Sequence, residues 1–584
     1  MAKDKTMQDW IQNLDEETLH KGVDRRGFLQ GAGKIAGLSL GMVIAQSMGG
    51  MAVHADNVEF QEYPFSLGVA SGDPLSDSVV IWTRLATDPL NGGGMPDRKI
   101  AVKWEVAKDQ HFRQIVQRGT EKASPSLAHS VHAEVWNLEA NTEFYYRFKV
   151  GKDFSPIGKT KTLPHPDADV SSLAFAFASC QQYEHGYYTA YKHMAKEDLD
   201  LVFHLGDYIY EYGPDEYVAS TGNVRSHKGP EIRTLEDYRN RHAQYRSDHD
   251  LQSAHAAFPW VVTWDDHEVE NNYADRIPEK GQSIEEFVKR RVAAYQAYYE
   301  HMPLRQSSMP HGEDMQLYRQ FSYGNLANFL VLDTRQYRSD QANEDKSSPQ
   351  TEESLNPERT LLGNEQENWV CDHLERSNSS WNVLAQQIFF AKRNYGPSRD
   401  QPLYSMDGWD GYTPARERII DFARKKNQNN LIVLTGDVHA NWASNLLADF
   451  DELTSQILGA EFVGTSITSG GNGSDKRADT DRILAQNEHI KFFNDYRGYV
   501  RCHVTPTQWK TDYRVVPFVT QPGADISTRA SFAYEKDADG LKEVAATVIP
   551  QGKQKSSEVE EDRHKAHSRA HEKQAHKGKK KQLY

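Results

Sequence analysis

The sequence predicts a layered α/β domain preceded by a smaller all-β sandwich, and three observations carry that prediction. From Phe65 to about Leu163, apolar and polar residues alternate with period two. From Val170 onward, short and nearly continuous apolar runs alternate with longer amphipathic stretches. Six of those runs end in polar residues with chemical capability. Period two marks strands with one buried face. A continuous run marks a strand buried on both faces, as in a sheet covered by further layers.

Composition sets the outer bounds. A chain of 584 residues has room for roughly two to four domains, and 38% apolar residues can fill a large core. Cys180, Cys371 and Cys502 are too few for a disulfide framework, so at most one bridge is expected. The net charge of −15 is uneven. Residues 551–584 hold ten Lys/Arg against five Asp/Glu and residues 1–55 balance at six each, which leaves the body at about −20. Such a body repels nucleic acid and anionic membranes at long range, and no nucleic-acid-binding module is expected. An anionic substrate would need local cations to overcome that field.

Along the chain, residues 1–55 read as a targeting segment. Asp24-Arg25-Arg26-Gly27-Phe28-Leu29-Gln30 precedes a Gly/Ala-rich, weakly apolar stretch from Gly31 to about Ala52, followed by the small residues of Val53-His54-Ala55. This resembles a twin-arginine export signal, departing from the usual pattern at Asp24 and Gln30, where Ser/Thr and Lys are commoner. The resemblance implies recognition by the twin-arginine translocation machinery, removal of the segment, and a periplasmic or secreted product. Lys34, Gln46 and six glycines speak against a membrane anchor, and no other segment is long and apolar enough to span a bilayer. The mature form should have no stable membrane span.

Residues 60–165 should form the sandwich. Ile100, Val102, Trp104 and Val106 alternate with Lys103 and Glu105, and Phe144, Tyr146, Phe148 and Val150 with Tyr145, Arg147 and Lys149. Ser71-Gly72-Asp73-Pro74 and Asn91-Gly92-Gly93-Gly94 supply turns. The run Leu138 to Tyr146 resembles the corner before a late strand of fibronectin type III domains, which makes the sandwich immunoglobulin/fibronectin-III-like. Its expected role is structural. A linker with two prolines, Lys159 to Asp167, leads to a catalytic domain over residues 170–550. Within it, residues 213–251 read as a charged excursion with a helix, a candidate lid whose charges form a solvated face, and Gly464 to Gly473 is a Ser/Thr/Gly run. Residues 551–584, basic and without apolar anchors, are expected to be a disordered tail.

The strand ends carry the chemistry. Apolar runs lead into Ser179-Cys180, Gly206-Asp207, Trp264-Asp265-Asp266-His267-Glu268, Asp333-Thr334-Arg335, Gln386-Gln387 and Gly436-Asp437-Val438-His439. In open α/β sheets ligands bind beyond the carboxyl ends of strands, so these tails should converge. Each residue alone has an ordinary reading: Cys180 as a small core residue, Asp266 as a helix cap, His439 as a core histidine. Together, a thiolate (Cys180), a carboxylate able to bridge (Asp207), a phenolate three residues on (Tyr210), and Asp266, Asp437 and His439 describe a site for two or more cations. Thiolate and phenolate favour a strongly Lewis-acidic ion such as Fe(3+); the extra carboxylates favour Ca(2+), Mg(2+) or Mn(2+).

Gly206-Asp207-x-x-Tyr210, Trp264-Asp265-Asp266-His267-Glu268 with Asn271-Asn272, and Gly436-Asp437-Val438-His439 resemble the motifs of calcineurin-like metallophosphoesterases of the PhoD type, alkaline phosphatases and phosphodiesterases. Asp266 and Asp437 stand where the wider superfamily has an Asn and a His. The resemblance covers about Phe65 to Val548, and it implies the metallophosphoesterase-type layered α/β sandwich. It also implies Fe(3+) on Cys180, Asp207, Tyr210 and His439, and Ca(2+) near Asp207, Asp266 and Asp437, with Asn271 or Asn272 a further ligand. The implied activity is hydrolysis of small or polymeric phosphate monoesters and diesters by a metal-bound hydroxide or oxo nucleophile, with Asp207 as the bridge between the unlike metals. His267 would contact the phosphate or protonate the leaving group, or else orient Asp266. Arg335 and Arg338 could fork a phosphate or pair with Asp333 or glutamates. Tyr208 and Tyr212 are expected to pack. Two other readings compete: a dedicated phosphodiesterase of phospholipase D type on this scaffold, and a non-catalytic metal-binding surface protein. A serine hydrolase is disfavoured because no Gly-x-Ser-x-Gly elbow occurs.

Overall fold

The computed structural model describes residues 60–547 apart from 280, 427 and 537. The twin-arginine motif and the basic tail lie outside the described residues. Among the described residues no helix is long and apolar enough to cross a membrane, and the three cysteines form no bridge.

Two large sheets are stacked face to face. In the first, Leu173–Ala178, Leu201–Leu205 and Pro259–Thr263 run parallel, flanked on the Leu173–Ala178 side by the antiparallel strands Arg497–Val504, Gln508–Val516, Ser527–Glu535 and Lys542–Ala546. In the second, Ala327–Val331, Trp381–Ala385, Leu431–Thr435 and Ile457–Val463 run parallel, with antiparallel strands at both edges. Alternation fixes what each face does. Phe175, Phe177, Phe203 and Leu205 meet Phe329, Val383 and Ile432 between the sheets. Ala176, Val202 and Trp260 face outward under helices Leu235–Arg246, His249–Ala257 and Ile284–His301. Leu330, Leu384 and Val433 face helices Gly363–Arg376 and Thr413–Lys425. Helix, sheet, sheet, helix is the layered arrangement the continuous apolar runs predict.

The N-terminal strands have their own core of Val79, Ile81, Val102, Phe144 and Phe148 between two sheets. One of these sheets is not separate. Val69–Gly72 pairs in parallel with Pro259–Thr263, so Val69–Gly72, Val79–Arg84 and Ser130–Val135 extend the first large sheet to ten strands. The contact is close: a Cβ on Gly72 would lie 2.5 Å from the Pro303 carbonyl oxygen and 2.7 Å from that of Trp260. A continuous ladder ties the sandwich to a strand that ends in the site.

The charged excursion departs from the solvated face expected of it. Arg241, His242 and Arg246 on its helix are buried, as is His227. The Arg241 guanidinium donates to the carbonyls of Tyr210 and Tyr212, the latter at 2.8 Å. Those carbonyls belong to an irregular segment with no strand neighbour, and buried backbone groups must find partners. The charges stand behind the site and hold it.

Candidate metal centre

The carboxyl ends of the central strands converge at one edge, where Thr263, Thr334 and Gln387 join the two sheets by side-chain hydrogen bonds of 2.7 and 3.0 Å. Gln387 is therefore a structural clasp. Asp333 likewise caps its own turn, accepting from the backbone N–H of Arg335 and Gln336. Two of the six polar strand ends thus serve the fold.

The others turn sharply into the cleft. Cys180 (φ 58°), Asp207 (φ 56°), Asp437 (φ 61°) and His439 (φ 52°) all occupy the left-handed region. Each such residue costs on the order of 1 kcal/mol or more and persists only where its surroundings enforce it. Gly206 (φ 99°) allows the approach, since a Cβ there would sit 2.4 Å from the Asp265 Cβ. Glu268 enforces the turn: its carboxylate accepts from the backbone N–H of Asp207 (3.1 Å), Tyr208 (2.5 Å) and Asp265 (2.8 Å). The last residue of the Asp-Asp-His-Glu motif is a staple for the neighbouring strand end.

Two ligand sets share one carboxylate. Donor atoms of Cys180, Asp207 and His439 lie within 4.8 Å of one another, and so do those of Asp207, Asp266 and His267. The Tyr210 hydroxyl joins the first set, donating to Asp207 Oδ2 (2.8 Å) and lying 3.2 Å from His439 Nε2. Ser469, from the Ser/Thr/Gly run, donates to Tyr210 and to the Cys180 carbonyl, both at 2.8 Å. Arg497 holds the opposite wall, donating to the His439 carbonyl and, at 2.9 Å, to Ser466.

The donor set fits cations on a specific ground. Asp207 and Asp266 are 1% and 2% exposed, and Oδ1 of each has no hydrogen-bond partner. A buried, unsatisfied carboxylate oxygen is costly, and a cation is the partner that such a pair lacks. Protonation follows the same logic. Burial, reinforced by Asp207, pushes Cys180 and Tyr210 well above their ordinary values. Burial and the nearby Asp266 raise Asp207 to about 7. Asp266 goes the other way: despite burial, Arg335 and His267 hold it below the usual carboxylate range.

Asp437 belongs to neither close set. Burial and the charges of Asp265 and Asp407 push it well above its ordinary value. Asn271 donates its backbone N–H to Glu211 (2.9 Å), and its buried Nδ2 has no partner. Asn272 (φ 49°) donates its backbone N–H to Asp266 (2.7 Å) and its side-chain amide to Asp345 (2.5 Å). Tyr208 packs in the core with its hydroxyl 2.9 Å from His255 Nε2, and Tyr212 is half-buried with its ring 5.5 Å from His267 and 5.6 Å from Tyr217.

His267 is held by a residue outside the strand-end set. Its Nδ1 lies 2.7 Å from Glu211, and its ring stacks on Tyr210 with centroids 4.2 Å apart. Burial opposes its charge, yet Glu211, Asp266 and Asp207 together hold its pKa well above the ordinary value. Arg335 and Arg338 are fully committed. Arg335 donates to Asp265 (2.6 Å) and bidentately to Asp407 (2.7 and 3.1 Å); Arg338 donates to Asp407 (3.0 Å) and Tyr412 (3.0 Å). Their partners are Asp265 and Asp407 rather than Asp333, whose carboxylate faces its own turn.

Glu211, Asp345, Asp407 and Ser469 escape a reading confined to strand ends. Glu211 had a local signal, its place beside Tyr210, and Ser469 lies in the Ser/Thr/Gly run; Asp345 and Asp407 stand 73 and 72 residues from Asn272 and Arg335, the partners they meet.

The PhoD-like phosphatase model matches residues 175–513, and the model of the N-terminal domain of PhoD-like phosphatases matches residues 51–164. Alkaline phosphatase D of Bacillus subtilis (strain 168) is 70% identical over 575 residues, covering 98% of each chain. A solved structure described as that of PhoD superposes with a TM-score of 0.87 at 71% identity, covering 89% of this chain and all of that one. Architecture, converging strand ends and these matches agree: the chain belongs to the PhoD-like phosphatase family, enzymes that hydrolyse phosphoric esters.

Proposed function

We propose that this chain is an exported, metal-dependent alkaline phosphatase acting on phosphate monoesters and diesters, with Fe(3+) held by Cys180, Asp207, Tyr210 and His439. Ca(2+) would be held by Asp207, Asp266 and Asp437 with Asn271 or Asn272. The observation that carries this is the placing of Asp207, buried and with Oδ1 unsatisfied, between a thiol–phenol–imidazole set and a carboxylate–imidazolium set. The hard, multiply charged ions that suit these donors supply Lewis acidity and a clamp on phosphoryl oxygens when bound.

The chain's own groups do the rest. His267, its Nδ1 engaged by Glu211, keeps Nε2–H to donate to a phosphoryl or leaving-group oxygen. Stacking on Tyr210 fixes the plane of the ring, so the proton is offered in one direction. Arg335 offsets Asp265, Asp266 and Asp407, which would otherwise repel an anionic ester. The twin-arginine motif supports export in folded form, with cations already in place.

Elemental analysis of purified protein beside the Cys180→Ala variant tests the ligand set. Iron should be lost from the variant without unfolding; retained iron would overturn the assignment. Chromogenic monoesters and diesters and a phosphatidylcholine, assayed together, separate a broad phosphatase from a phospholipase D-like diesterase. Absence of turnover on all of them with both metals restored would favour a non-catalytic surface protein.

A further inference from the structure

A small cavity of about 60 Å³ opens beside the Asp437-Val438-His439 turn, lined by Val438, Arg393, Trp442, Arg477, Tyr395 and Thr480 among others. Its walls are unusual in what they leave unanswered. Arg393 is 4% exposed, yet its guanidinium donates no hydrogen bond and closes no ion pair among the described residues, and its buried Nε has no acceptor. It is instead enclosed by aromatic faces, 3.6 Å from the Phe389 centroid, 4.4 Å from Tyr395 and 5.0 Å from Trp442. Trp442 is 2% exposed and its indole N–H also lacks an acceptor. Arg477, paired with Asp495 at 2.6 Å, adds a second guanidinium to the lining.

Other buried arginines of this fold reach a carboxylate or a backbone carbonyl; Arg84, Arg241 and Arg246 donate to carbonyls. Arg335, Arg338, Arg416 and Arg497 each reach a carboxylate directly. A buried cation without such a partner is expensive, and cation–π contacts recover only part of that cost. The carboxylates of Glu461 and Asp410 are near enough to feel Arg393 but are spent on other donors: Glu461 on the backbone of Phe390 and Ala391, Asp410 on Arg416. Burial lowers the Arg393 pKa to about 9, still charged at neutral pH. The cavity offers the unanswered donors of Arg393 and Trp442; the carboxylate in its lining, Asp479, lies 3.5 Å from Arg482.

Position gives this a meaning. Val438 is half-buried and lies between two half-buried residues of the candidate centre, Asp437 and His439, so cavity and centre are two sides of one turn. We propose that Arg393, with Trp442 and Arg477, forms a distal anion subsite that binds a second anionic group of an ester substrate while the scissile phosphate occupies the centre. This rests on the phosphoesterase reading above and narrows it: the favoured substrates carry a second phosphate, phosphonate or carboxylate on the arm beyond the reacting phosphorus.

Two p-nitrophenyl phosphodiesters test it in the metal-loaded enzyme, one with an uncharged alkyl arm and one whose arm of the same length ends in a phosphonate. Wild-type enzyme should hydrolyse the phosphonate-bearing diester with kcat/KM higher by about tenfold, mostly through KM, as a charge-assisted contact predicts. Arg393→Met, which keeps apolar bulk among the rings, should erase that preference and leave the uncharged diester within about twofold. Arg393→Lys, the milder change should Met fail to fold, should retain part of the preference because the charge remains without the fork. Equal losses on both diesters, or a wild-type enzyme with no preference, would overturn the subsite. Failure of wild-type enzyme on both diesters and on p-nitrophenyl phosphate would instead sink the phosphoesterase reading, so the two failures are distinguishable.

Discussion

The two ends of the candidate centre solve the same electrostatic problem in opposite ways. At one end no arginine pairs with the side chains of Cys180, Tyr210 and Asp207, since Arg241 and Arg497 are spent on backbone carbonyls there, and burial pushes all three toward their protonated forms. At the other end Arg335 spreads one guanidinium over Asp265, Asp266 and Asp407. Asp266 and Asp407 are held ionised there, while burial still pushes up Asp265 and Asp437. The first end must exchange protons for a cation, so its affinity rises with pH. The second is partly neutralised before any ion arrives, and an acidic body can place carboxylates beside a phosphate site without expelling the substrate.

Asp207→Asn should break the comparison most severely, because Asp207 belongs to both ends. Hydrolysis should fall by at least about a thousandfold, roughly 4 kcal/mol of transition-state stabilisation. Stability should move the other way. Burial raises the folded carboxyl from its ordinary 3.8 to about 7, so the metal-free wild type is undiminished below 3.8 and loses stability as pH rises toward 7. Asn has no charge to bury. Urea titrations of metal-free protein at pH 5 and 8 should show a smaller pH dependence for the variant. Near-normal turnover in Asp207→Asn would end its role as the shared ligand.

Arg335→Met comes next and strikes only the carboxylate end. Removing one partner from a buried charge network costs about 3–5 kcal/mol, so the midpoint of guanidinium denaturation should drop sharply with an unchanged slope. Arg338→Met should cost less, because Asp407 keeps its bonds to Arg335 and to Gln341 (2.9 Å). Equal losses for the two would mean that the network is not centred on Arg335.

The same contrast marks what a sequence can disclose. The apolar runs leading to Cys180, Asp207, Asp266 and Asp437 are strands because burial on both faces demands continuous hydrophobic sequence, and the site residues follow them directly. The proton-exchanging end is therefore legible: each member sits within five residues of a strand end. The arginine-bearing end is legible only in part: Asp265, Asp266 and Arg335 follow strands, whereas Asp407 and Asp345 arrive on connecting segments, which carry no periodicity to report where they fold back. Nor does alternation disclose that Val69–Gly72 would pair with Pro259–Thr263, since edge pairing depends on partners far away in the chain. The buried face of the helix Leu235–Arg246 misleads for a related reason. Its arginines and its histidine resemble a solvated surface until the carbonyls of Tyr210 and Tyr212 that Arg241 meets are known.

The smallest expected effect is the most discriminating, because it moves a proton without touching a ligand. Glu211 meets His267 at Nδ1 and supplies the largest of the attractions that keep the imidazolium charged. In Glu211→Gln an amide can still occupy the contact, but the negative charge is gone, so the His267 pKa must fall toward its ordinary value. The protonated fractions of the two proteins differ least at low pH and diverge as pH rises. With His267 as proton donor, kcat/KM of the variant should match wild type within about twofold at pH 6 and fall short by about tenfold at pH 9. The descending limb of the pH–rate profile then moves to lower pH. A uniform loss at every pH would make Glu211 a support for the backbone of Asn271 alone, and His267 would have to yield its place as the group that offers the proton.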